Sequence, residues 1–234
     1  MAIKTKGLVP RTWRWIKRIV LVLILLQFLY IFLLKWIDPP VTLTQIGSVF
    51  AGQGLSRDYV DIKQMSSYSK LAVISSEDQQ FPDHNGFDWK SIEKAIDYNK
   101  RKPNRVRGAS TISQQVAKNV FLWQGRSWLR KGLETYFTFM IELIWGKKRI
   151  LEMYLNVAEM GEGIYGIEAA SRAYFKKPAK SLTRKEAAMI ASCLPNPVKY
   201  KIKPMSKNVA IRYPWAMRQM NNLQNDPEIQ ALIQ

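Results

Sequence analysis

From Ile19 to Trp36 the chain reads IVLVLILLQFLYIFLLKW, broken only by Gln27 and by Lys35 near its end. A helix that is apolar all round has no polar face to turn toward water. At 1.5 Å per residue this stretch extends about 27 Å, enough to cross the hydrocarbon core of a bilayer. Pro39-Pro40 ends the run. Residues 41–65 show only weak alternation and read as a linker and lobe edge. Beyond them the period is helical. Asp88 precedes a segment whose Trp89, Ile92, Ala95, Ile96 and Asn99 share a face, and Thr111 and Gln114 have the spacing of a capping box ahead of Val116 and Val120. Apolar residues recur at Leu129, Leu133, Phe137, Met140, Ile141 and Ile144 within a long segment from Ser127. Residues 148–156 predict an amphipathic helix, followed by glycines 161, 163 and 166 in a tight turn where backbones approach closely. Thr183 and Glu186 form a second capping-box pair, before a helix over 187–194 that stops at Pro195; residues 204–234 predict one last helix with a frayed polar end. The pattern is mainly α, with at most a little strand.

The flanks give the apolar run an orientation. Lys4, Lys6, Arg11, Arg14, Lys17 and Arg18 precede it without an acidic residue, and Trp13, Trp15 and Trp36 border it as an interfacial belt. Positive charge stays inside, so the expected layout is a cytoplasmic basic tail (1–18), a transmembrane helix (19–36), a linker (37–65) and an outer domain (66–234). A cleaved signal peptide would have a shorter apolar core and a small-residue cleavage site, which Lys35-Trp36-Ile37-Asp38 does not provide.

The whole chain carries 36 Lys and Arg against 18 Asp and Glu, a net charge of +18. The tail supplies only a minority of that excess, so the outer domain is basic too and expects an anionic partner. A phosphorylated substrate or a lipid surface fits an outer-face domain; nucleic acid does not. Cys193 is the single cysteine, which excludes an internal disulfide. His84 is the single histidine, which excludes a His-rich zinc site and any Ser-His-Asp triad not built on it.

Candidate chemistry lies in three stretches. Glu77-Asp78 follows LAVISS; a carboxylate ending a buried segment is desolvated, and its pKa rises toward the range useful for proton transfer. Pro82 and Gly86 then force a turn that contains Phe81 and His84. Gly108-Ala109-Ser110-Thr111 opens a helix whose N–H donors are suited to phosphate oxygens, with Gln115, Lys118 and Asn119 a turn on and Gln115 and Lys118 on one face. Arg126 to Glu134 places Arg130 and Glu134 four residues apart, with Lys131 alongside. Taken alone, the first reads better as a solvated pair and the last as a surface ion pair, while the helix start is a moderate signal against an ordinary capped helix.

Their order is more specific than any one of them. The stretches Glu77 to Gly86, Gly108 to Asn119, Arg130 to Glu134, Ile150 to Asn156 and Glu186 to Pro197 together resemble glycosyltransferase family 51, the peptidoglycan glycosyltransferases, over about Ser66 to Pro204. The resemblance is to the monofunctional branch, with about thirty residues after the last motif. Ser67-Tyr68-Ser69-Lys70 fits the S-x-x-K pattern of penicillin-binding enzymes but has no K-T-G or S-x-N partner in a suitable context and reads as chance.

The resemblance implies a mainly α, lysozyme-like two-lobed domain that polymerises lipid II into β-1,4-linked glycan strands and releases undecaprenyl diphosphate, for cell wall biogenesis, without transpeptidase activity. It implies Glu77 as general base and Glu134 as the second catalytic carboxylate. It implies substrate contacts from Asp78, Phe81, Ser110, Thr111, Gln115, Lys118, Asn119, Arg126, Arg130 and Lys131. Glu134 is the candidate ligand for a divalent cation, Mg²⁺ or Mn²⁺. The expected partners are lipid II, a lipid-linked glycan chain, the inner membrane as single-pass anchor, and cell-wall synthesis or division proteins. Val120 to Trp123 is read either as a lipid-dipping segment or as core. Two rivals are weighed against this reading: a lytic hydrolase of lysozyme kind, and a tethered scaffold for an anionic polymer.

Overall fold

The computed structural model describes residues 9–103, 108–125 and 127–234. The chain divides into two units, residues 1–38 and residues 39–234. In the first, helix α1 (Val9–Leu33) contains a stretch, Thr12–Leu33, with a mean hydropathy of 2.3, long and apolar enough to cross a membrane. It starts before the expected Ile19, since Pro10 in a first turn removes no needed hydrogen bond. It also ends before Trp36, in a turn through residues 34–36. The Lys17 ammonium lies 5.3 Å from the Trp13 ring and the Arg18 guanidinium 5.5 Å from Trp15, pairing each belt aromatic with a cation.

The second unit contains, in chain order, α2 (Leu43–Phe50), β1 (Ser56–Arg57), α3 (Ser67–Glu77), α4 (Trp89–Arg101), α5 (Ile112–Phe121), α6 (Trp128–Ile144), α7 (Lys147–Val157), β2 (Glu159–Gly161), β3 (Ile164–Tyr165), α8 (Ile167–Phe175), α9 (Arg184–Ala191), α10 (Lys207–Leu223) and α11 (Pro227–Ile233). The mainly α expectation holds. Side chains of Ser66, Asp88, Thr111, Ser127, Thr183, Ser206 and Asp226 accept from the first-turn N–H groups of the helices they precede. Each such cap stabilises its helix by about 1 kcal/mol.

Two helices form the interior. Helix α3 is buried from Ser69 to Ser75 and packs against α9, α10 and α11. Helix α5 packs against α6 and α7. Ile74, Phe81, Ile112, Ile141, Ile150, Leu151 and Tyr154 are fully enclosed. The small sheet runs β1-β3-β2, with Ser56 opposite Ile164 in parallel and Glu159 opposite Tyr165 antiparallel. The glycines after α7 act as expected: a Cβ on Gly163 would stand 2.2 Å from the Gln53 carbonyl oxygen, and one on Gly166 2.6 Å from that of Asn156.

Several expectations need correcting. Residues 43–50 form a helix, with Thr42 and Gln45 closing a capping box at 3.3 and 3.1 Å. Its buried face is polar (Thr44, Gln45, Ser48), which is why apolar alternation misled there. Residues 204–234 form two helices, because Asp226-Pro227 starts a new one whose Ile229 and Ile233 are buried and not frayed. Helix α9 begins at Arg184 and ends at Ala191, earlier than 194. Helix α7 keeps Lys147, Lys148, Arg149 and Glu152 out of its buried set, as an amphipathic helix does, but is buried all round from Met153 to Val157. Helix α4 has no buried residue, so the face of Trp89, Ile92 and Ile96 covers no core.

Candidate active site

The site begins where α3 ends. Its final residue is Glu77, densely surrounded yet keeping an accessible edge. Burial raises its pKa above the ordinary carboxylate range; the hydrogen bond from Gln115 and the charge of Arg212 act in the opposite direction, Asp78 reinforces the rise and Lys118 opposes it. Gln115 Nε2 donates to Glu77 Oε2 at 3.0 Å, and Gln115 Oε1 accepts from the Tyr154 hydroxyl at 3.2 Å. Tyr154 is enclosed. Burial, then the charges of Glu77 and Asp78, hold its phenol well above its usual pKa, so it remains a donor. A chain of three side chains thus fixes the position of one carboxylate.

The turn after Glu77 is tied down through Asp78, His84 and Gly86. Gly86 N–H donates to His84 Nδ1 at 3.1 Å, which leaves the proton on Nε2; that proton faces both Asp78 oxygens at 3.1 Å. Asp78 Oδ2 also accepts from Ile112 N–H at 2.9 Å, at the start of α5. Thr111 Oγ1 accepts from Gln114 N–H and donates to the Gly86 carbonyl at 2.7 Å. Gly86 has φ +90°, and a Cβ there would meet Thr138 Cγ2 at 2.7 Å. Lys147 donates to the His84 carbonyl and to Glu142 at 2.7 Å, 4.6 Å from the Phe81 ring; Glu142 in turn accepts from Ser113. His84 thus acts as a structural member of this turn.

Helices α5 and α6 supply the cations. Lys118 is half-buried, and burial lowers its pKa below the ordinary lysine value; Glu134 opposes that shift, Arg130 and Lys131 add to it, and Glu77 opposes it. Lys118 therefore experiences the charges of both glutamates, which belong to one electrostatic cluster. Glu134 is buried, bonded by Arg130 Nη1 at 2.8 Å and by Lys131 Nζ.

Not every sequence-predicted residue takes the position expected of a substrate contact. Phe81 is fully buried, and Asp78 and Thr111 are spent on internal bonds. The N–H groups of Ile112 and Gln114 at the α5 start are taken by Asp78 and Thr111, so they are not available as phosphate donors. Asn119 is buried, while Ser110 is exposed. Gln115, Lys118, Arg130 and Lys131 cluster about the two glutamates, and Arg126 lies outside the described residues. Sequence reasoning missed Arg212, whose charge reaches Glu77 from α10, and Tyr154, which supports Gln115 from α7. Only tertiary packing brings either one to the site.

A hard divalent cation takes six or more oxygens. Among the described residues no three His, Cys, Asp or Glu side chains converge, and both Glu134 oxygens already accept from cations. A divalent cation there would share Glu134 with Arg130 and Lys131 and draw its other oxygens from water and substrate phosphates.

A raised, hydrogen-bonded carboxylate beside lysine and arginine can accept a proton while cations receive charge from a departing anion. Comparison with known proteins agrees in kind. A family model described as Transglycosylase matches residues 43–221. The chain is 59% identical to the biosynthetic peptidoglycan transglycosylase of Mannheimia succiniciproducens over 166 residues, 71% of this chain and 68% of that protein. It is 56% identical over 173 residues, 74% of this chain and 72% of theirs, to proteins of the same name from Shigella boydii serotype 4 and Escherichia coli strain K12. With a lysozyme-like helical domain and a match across most of its length, the chain belongs to the transglycosylase family.

Proposed function

We propose that the chain is a peptidoglycan glycosyltransferase that polymerises lipid II into β-1,4-linked glycan strands. The observation that carries this reading is Glu77: a half-buried carboxylate of raised pKa, held by Gln115, in one cluster with Lys118 and the Arg130-Lys131-Glu134 group. The donor is a glycan chain on undecaprenyl diphosphate and the acceptor is lipid II. Glu77 takes the proton from the acceptor's 4-hydroxyl. That oxygen attacks the donor's anomeric carbon with inversion, and the electron pair of the broken C–O bond passes to the diphosphate. Lys118, Arg130 and Lys131 receive the developing charge, which fixed cations stabilise more in a sheltered cleft than water would. Glu134 orders the last two. A diphosphate leaves without a general acid, unlike the leaving group of an inverting glycosidase.

Helix α1 is proposed as a single-pass anchor, its basic end in the cytoplasm and the catalytic unit in the periplasm, where both lipid-linked substrates are found. Of residues 120–123, Val120 and Leu122 are buried and Phe121 stacks on Phe137 at 4.6 Å, which favours core over lipid; Trp123 is exposed. The stronger lipid-facing candidate is the outer side of α6, where Trp128 (92% exposed), Leu129, Phe139 and Leu143 face away from the core. Transpeptidation is not part of the proposal: Ser67-x-x-Lys70 is at the opposite end of α3 from Glu77, and the Lys70 side chain is buried.

The test is polymerisation of purified lipid II, resolved by gel, by wild type and Glu77→Gln. Strand formation by wild type alone supports the proposal. Cleavage of finished peptidoglycan without lipid II turnover would make the chain a lytic hydrolase, turnover of neither substrate by either protein would make it a scaffold, and equal strand formation by both would remove Glu77 as the base.

A further inference from the structure

Most cations around the two glutamates have anionic partners within the protein: Arg130 and Lys131 on Glu134, Lys147 on Glu142. Two do not. Among the described residues, neither Lys118 nor Arg212 has a carboxylate within ion-pair distance or a side-chain hydrogen bond. Lys118 experiences the charges of Glu134, Arg130 and Lys131 as well as that of Glu77. Arg212 comes from α10, a helix joined to the end of α3 by the bond from Gln79 Nε2 to Gln219 Oε1 at 3.2 Å. Positions 212 and 219 are seven apart, so both lie on the α10 face turned to Glu77. The Arg212 side chain is half-buried, with Nε enclosed and unbonded and its guanidinium 5.9 Å from the Trp215 ring.

A half-buried guanidinium loses hydration, and here the charge of Glu77 reaches it but no carboxylate bonds it. A ligand anion would. The proposed reaction brings two diphosphates to this site, one on each substrate, and the Glu134 side already serves the leaving one. We infer that Arg212 is an acceptor-binding residue, holding the diphosphate of the incoming lipid II from α10, while Lys118 belongs with the Glu134 group on α5 and α6. Its planar fork of donors suits a diphosphate oxygen pair. This rests on the lipid II reading above and adds a separate residue and subsite to it.

The experiment uses full-length protein in liposomes, a preformed lipid-linked glycan of fixed length as donor and lipid II as acceptor, each varied in turn. Arg212→Gln should raise the acceptor KM about 10- to 100-fold, the loss expected for a charge-assisted bond, with kcat and donor KM within about twofold of wild type. Arg212→Lys should recover part of the loss. An unchanged acceptor KM, or a loss confined to kcat or to the donor KM, overturns the inference. Should Arg212→Gln fail to fold, the decision passes to Arg212→Lys, which keeps the charge and loses the fork: an acceptor KM equal to wild type refutes it. If wild type itself adds no lipid II to the donor, the proposed function fails, and not Arg212 alone.

Discussion

Gln115 donates to Glu77 at 3.0 Å and, by accepting from Tyr154, has only one way to present its amide. This bond favours the ionised carboxylate and partly offsets the effect of burial. Gln115→Leu should therefore move the acidic limb of the kcat/KM–pH profile toward higher pH. Tyr154→Phe, which frees the amide to rotate, should shift it in the same direction by less. Rates measured across pH decide; a limb that stays in place or moves down contradicts the assignment of Glu77 as the titrating base.

Glu77→Gln separates catalysis from stability. Removing a general base costs about 10²- to 10⁴-fold in rate. Because the folded-state pKa lies above the unfolded one, the folded protein binds this proton more tightly. Ionisation then costs stability as pH rises from the ordinary glutamate range through the folded pKa, and the cost is complete above it. The neutral amide avoids that cost. At neutral pH the variant should melt no lower than wild type, and the difference should shrink toward about pH 4, where both states are protonated. Calorimetry at both pH values checks the sign; a lower neutral-pH Tm would show that the ionised carboxylate supports the fold.

Gly86→Ala forces a Cβ to 2.7 Å from Thr138 Cγ2 at a φ of +90°. The turn that ties Asp78 and His84 to α5 must move, at a cost of about 1–3 kcal/mol. Gly132→Ala is the control: it is helical with open space around its Cβ, and should gain up to about 1 kcal/mol. Urea unfolding of the pair gives opposite signs if the turn is as described.

Glu134→Gln leaves Arg130 and Lys131 without the carboxylate that orders them. Turnover of lipid II should fall by about 10²-fold, as when one preorganised group is lost from a charge-stabilising site. Added Mg²⁺ should not restore it, because the lost group positions protein cations. Recovery with Mg²⁺ would assign Glu134 to a metal instead.

Serine at Trp128, Leu129, Phe139 and Leu143 together should weaken liposome binding of a protein lacking residues 1–38 by about tenfold or more, given about 1.5–3 kcal/mol for each side chain fully buried. Phe121→Ser should instead lower the melting temperature, since it breaks the stack on Phe137. Sedimentation with vesicles and thermal melts distinguish the two roles.

Local signals were readable. Asp88, Thr111 with Gln114, and Thr183 with Glu186 marked helix starts because capping is a contact between residues three apart. Arg130 and Glu134 were readable as a pair for the same reason. The Thr42-Gln45 box gave an equal signal, but the polar inward face of α2 opposed the usual pattern. What the sequence could not give is what distant segments do to one another. Asp78 occupies the α5 start from 34 residues away, so an apparent phosphate nest is already filled. Arg212 joins the cluster only because α10 packs on α3.

Glu77 closes a helix whose preceding turns are locked among α9, α10 and α11. On the proposed reaction, the proton acceptor is therefore stationary from one cycle to the next. Repeated extension must then be achieved by translocation of the saccharide strand past a fixed point, with the lengthened product vacating one berth so that another monomer can dock.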